Sequence, residues 1–64
     1  MKTFKNKAFK TRDYEATNVV VCKSEKAPNE NWIEVDESII VTMNLNQLWL
    51  ERVNGTDVRY FGWL

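Results

Sequence analysis

Apolar and β-branched residues recur along this chain in short runs separated by turn formers, the pattern of strands rather than helices. The clearest case is Gln47-Leu48-Trp49-Leu50-Glu51-Arg52-Val53, then Asn54-Gly55-Thr56, then Asp57-Val58-Arg59-Tyr60-Phe61-Gly62-Trp63-Leu64. A type I′ turn needs positive φ at both central residues, which Asn and Gly tolerate, so these segments predict a β-hairpin. Alternation places Trp49, Glu51 and Val53 on one face and Leu48, Leu50 and Arg52 on the other. On the return strand Val58, Tyr60 and Leu64 share one side, and Arg59, Phe61 and Trp63 the opposite one. Neither face is clearly polar. Such a hairpin needs covering twice, once by its own domain and once by a curled sheet edge, a helix or a second molecule.

Asn18-Val19-Val20-Val21-Cys22 reads as a central strand buried on both faces. The polar stretch Lys23 to Asn31, with Pro28, reads as a loop, after which Trp32-Ile33-Glu34-Val35 resumes as a strand; together they predict a hairpin with a long connection. Around Lys5-Asn6-Lys7 the pattern fits either a tight turn or the middle of one long strand, and Asp13 to Thr17 fits a turn or a single helical turn that Asp13 can cap. Asp36 to Asn44 is ambiguous: Ile39-Ile40-Val41-Thr42 has strand composition, but Asp36 or Ser38 can cap a helix and Asn44 can stop one, which favours a short helix. Gly62 within its strand marks a bulge or a close backbone approach. The predicted fold is mainly β, a single domain over residues 1–64: a small antiparallel sheet or partly open barrel of about five strands, with one short helix near 36–44.

A chain of 64 residues builds only a thin core, so dense aromatic packing or self-association is expected to help. Composition narrows the chemistry. There is no histidine and one cysteine, Cys22, which leaves no internal disulfide and no zinc set; no metal and no cofactor is expected. Cys22 follows three valines and reads as core rather than as a nucleophile. The glycines are Gly55 and Gly62, so no phosphate-cradling loop exists. No run approaches membrane-span length and Met1 to Lys5 lacks a secretory apolar region, which leads us to expect a cytoplasmic protein. Asn54-Gly55-Thr56 also fits a glycosylation acceptor, but the turn accounts for it.

Net charge is zero, yet Lys2, Lys5, Lys7, Lys10 and Arg12 lead the chain, while seven acids fall between Asp13 and Glu37. The simplest account sets the basic first strand beside an acidic one with opposite charges facing. Paired carboxylates can run hydrolysis only inside a cleft, which a domain of this size rarely builds, so Glu34, Asp36 and Glu37 read as a solvated edge and no catalytic residue is assigned. Two binding surfaces remain. Trp49, Arg59, Tyr60 and Trp63, of residue types that dominate protein interfaces, mark the C-terminal hairpin as a protein-binding site. Lys5, Lys7, Phe9, Lys10 and Arg12 form an alternative, a single-stranded nucleic-acid surface, which the acidic middle of the chain disfavours.

Through Ala27-Pro28-Asn29-Glu30-Asn31-Trp32-Ile33-Glu34-Val35-Asp36 and Arg59-Tyr60-Phe61-Gly62-Trp63-Leu64, the chain resembles the short uncharacterised proteins of bacteriophages and prophages in size, composition and texture. That resemblance carries no functional motif. It implies a bacterial cytoplasm and a role in binding rather than catalysis. The expected function is therefore a non-enzymatic binding or assembly module, with a protein partner or itself, as a homodimer, acting through an exposed sheet edge or the aromatic hairpin.

Overall fold

A computed structural model describes residues 1–7 and 19–63. Its elements are β1 (Lys2–Asn6), β2 (Val19–Ser24), β3 (Trp32–Val35), a short helix α1 (Ser38–Thr42), β4 (Asn46–Val53) and β5 (Thr56–Gly62). The strands form one open antiparallel sheet in the order β3-β1-β2-β5-β4. The mainly β fold with one short helix is therefore as the pattern predicts. Asp13 to Thr17 lies outside the described residues.

The valine run sits at the centre of the sheet because it can be buried on both sides. A bulge between Val19 and Val21 makes this possible. Val19 joins Phe4, Cys22, Val58 and Tyr60 on one face, while Val20 and Val21 join Leu45 on the other. Gly62 pairs with Val19 beside this bulge and is buried, in keeping with a close backbone approach.

Different segments cover the two faces. Ala27, from the loop after β2, packs on the face of Phe4 and Tyr60. The other face is covered by Ile39, Ile40 and Met43 of α1 and its C-terminal turn, with Phe61 and Trp63. Five helical residues, rich in β-branched types, have little intrinsic helicity, so packing rather than propensity holds α1. Its start is set by Asp36, whose Oδ1 accepts the Ser38 N–H at 2.8 Å and whose carbonyl accepts the Ile39 N–H at 3.1 Å. Glu37 holds the cap position itself, without a side-chain bond. Asn44, with φ of 55°, turns the chain out of the helix.

Three expectations are corrected. β2 and β3 do not form a hairpin, because β1 lies between them and pairs with both. The loop after β2 thus crosses over β1, a connection that strand composition cannot distinguish from a wide hairpin. The basic first strand does lie beside acidic β3, but Phe4 faces Glu34 and Lys5 faces Ile33, so opposite charges do not face each other there. Leu48 packs with the Phe4 and Tyr60 cluster rather than with Leu50, because a bulge between Gln47 and Trp49 rotates it.

Candidate functional site

The Asn54-Gly55 turn, with φ of 52° and 78°, closes the C-terminal hairpin and sets its register. Trp49 faces Tyr60 and Glu51 faces Val58 on one side, while Leu50 faces Arg59 and Arg52 faces Asp57 on the other. Trp49 and Tyr60 meet with ring centroids 5.1 Å apart and planes at 33°. Trp32 of β3 approaches Tyr60 from the opposite direction, at 6.1 Å and 55°. In a flat sheet β3 and β5 would lie about 14 Å apart. The sheet must therefore curl and the rings lean inward over Phe4 and Cys22.

The four residues assigned to protein binding are thus divided between two faces. Trp49 and Tyr60 stand together, Tyr60 nearly enclosed and Trp49 45% exposed. Arg59 is exposed on the helix side, next to Leu50 in the register. Trp63 is half-buried there, packs against the helix layer and donates its indole N–H to the Met43 carbonyl at 3.0 Å. Of the alternative set, Lys5 is half-buried between Val21 and Ile33, and Lys7 is exposed, its N–H donating to the Asn31 carbonyl at 2.7 Å. Phe9, Lys10 and Arg12 lie outside the described residues.

Three residues belong with this surface that residue type alone did not single out. Trp32 completes the aromatic row. Glu51 shares the face of Tyr60, and its carboxylate is close enough to help push the phenol's ionisation upward. Leu50 is 47% exposed on the face opposite Trp49. β4 is an edge strand among the described strands, so this exposure borders a row of backbone groups that pair with no described neighbour. An edge position has no signature in a strand's own sequence; only the strand order reveals it.

Three groups have their ionisation shifted by their surroundings. Burial, then the charge of Glu51, push the Tyr60 phenol from 10.0 up to about 12. Burial pushes the Cys22 thiol up to about 11, and the residue is fully enclosed. The Asp36 carboxyl is held below its ordinary range by the Ser38 N–H and hydroxyl. Each shift moves its group away from neutrality. Asp36 borders a shallow hollow with Lys23, Glu37, Ser38, Ile40 and Val41, where Lys23 Nζ lies 3.5 Å from Glu37 Oε2. That pair is water-exposed on the Glu37 side and is worth little.

The chain matches no known protein family, no curated protein and no solved structure. No helix among the described residues is long and apolar enough to cross a membrane.

Proposed function

We propose that this protein is a non-enzymatic binding or assembly module that takes an extended segment of a protein partner onto the outer edge of β4. One observation carries this reading: Trp49 and Leu50, adjacent on an edge strand, present 45% and 47% of their surface on opposite faces. Edge strands are usually blunted by proline, charged residues, bulges or shortness; β4 runs for eight residues without proline or lysine, its bulge falls near its start between Gln47 and Trp49, and its charges Glu51 and Arg52 follow Trp49 and Leu50 towards the turn. A segment added there gains main-chain hydrogen bonds together with apolar contact on both sides of the sheet. A role among phage or host components fits such a module.

The nucleic-acid alternative has less support. Base stacking on rings and cation contact with phosphates must occur on one face. The ring row Trp32, Tyr60 and Trp49 shares its side with Glu34 and Glu51, whereas Lys5, Lys23, Arg52 and Arg59 fall on the other. Among strand residues only Lys2 brings a cation to the ring side, two strands away from β5.

The test is affinity capture and sedimentation with the wild type and with Trp49→Lys and Leu50→Lys. Both side chains are half in water, so the variants should keep the wild-type circular dichroism spectrum while losing captured partner or self-association. Unaltered association in both variants refutes the edge reading.

A further inference from the structure

The proposed edge has a chemistry of its own that narrows what it takes. On the ring side of β4 the next side chain after Trp49 is Glu51, about 7 Å further along the strand. Glu51 is exposed on this face, and Glu34, facing Phe4, ends the Trp49–Tyr60 row on the far edge. A half-exposed indole beside an exposed carboxylate attracts one kind of group twice over: a cation is drawn to the face of the ring and to the charge next to it. We propose that the segment docking on β4 is cationic, with an arginine or lysine side chain lying on the open face of Trp49 and its charge against Glu51. The proposal rests on the edge reading above and names its ligand.

Strand geometry allows the fit. In an antiparallel addition a residue opposite Trp49 lies about 5 Å from it and about 7–8 Å diagonally from Glu51, a span a long basic side chain bridges. A second copy of β4 fits less well. In an antiparallel self-pair opposing residues share a face, and Arg52, the one cation of β4, lies on the face away from Trp49 and Glu51. Registers centred on Trp49, Leu50 or Glu51 therefore set Trp against Trp, Trp against Glu or Glu against Glu, and none brings a cation to the seat.

The experiment titrates the labelled full chain with a blocked hexapeptide of alternating valine and arginine, and with its citrulline counterpart, which keeps the shape and removes the charge. The indole N–H signals separate the sites: Trp49 reports the seat and Trp63 the opposite face. The expected result is a saturable shift of the Trp49 indole and of the Asn46–Val53 amides with Trp63 unmoved. The citrulline peptide should bind about tenfold more weakly, the size expected of an exposed cation–π contact plus a surface ion pair. Glu51→Gln should weaken the arginine peptide several-fold and leave the citrulline peptide unchanged. Equal binding of both peptides, with β4 amides shifting, overturns the cationic seat and leaves strand addition standing. Silence of the β4 amides towards both peptides, or a β4-paired dimer that excludes them, overturns the proposal; silence with no association of any kind also counts against the edge reading.

Discussion

Trp49 and Trp63 share a residue type and a hairpin yet do different work. Trp63 closes the helix layer and holds the Met43 carbonyl, so Trp63→Phe should destabilise the fold by about 1–2 kcal/mol through the lost hydrogen bond and ring area. Urea unfolding checks this, with Trp49→Phe as the comparison, expected to cost less than about 1 kcal/mol at a half-exposed site. Tyr60 adds a pH dependence. Its folded value of about 12 lies above the 10.0 of an unperturbed phenol, so the unfolded chain loses the proton first as pH rises. The contribution of Tyr60 is thus complete below pH 10, declines between 10 and 12 and is gone above that, a change on the order of 2 kcal/mol. Urea midpoints at pH 9 and 11 should diverge for the wild type and diverge less for Tyr60→Phe. Cys22 was readable as core from three preceding valines, whereas nothing local announced the partnership of Tyr60 and Glu51, which sit on different strands.

At the scale of elements, the hairpin was the most legible part of the chain because its turn chemistry is local. Gly55, at φ of 78°, has nothing near the position of an added Cβ, so Gly55→Ala meets backbone strain alone. It should lower stability by about 1 kcal/mol by thermal or urea unfolding, with the cross-strand register unchanged by nuclear Overhauser contacts. The segment after β3 was ambiguous for a physical reason. Ile39, Ile40 and Val41 prefer strands, while Asp36 or Ser38 and Asn44 offer helix boundaries; packing of the half-buried Ile39 and Ile40 on the sheet decides for the helix and leaves Val41 83% exposed.

The whole molecule is organised by the curl that brings Trp32 over Tyr60 across two intervening strands. A double-mutant cycle with Trp32→Leu and Tyr60→Leu should return a coupling of about 0.5–1.5 kcal/mol, the range for ring pairs in contact. A coupling near zero means that the sheet is flat in solution. The same architecture explains why the surface called for by two apolar hairpin faces shrinks to one edge: the curl encloses Tyr60, α1 covers Trp63, and Trp49 and Leu50 are left in water.

By itself the sequence determined whatever depends on neighbours along the chain: the Asn-Gly turn, the buried valine strand and Trp32 to Val35 as a strand; for the helix it offered Asp36 or Ser38 as the cap, and the structure places the cap at Glu37 between them. Strand order, the crossing of β1 by the loop after β2, the two bulges and the edge position of β4 came only from the tertiary structure. They are set by which apolar faces can be covered at once in so short a chain, and that competition among distant segments leaves no mark on any one of them.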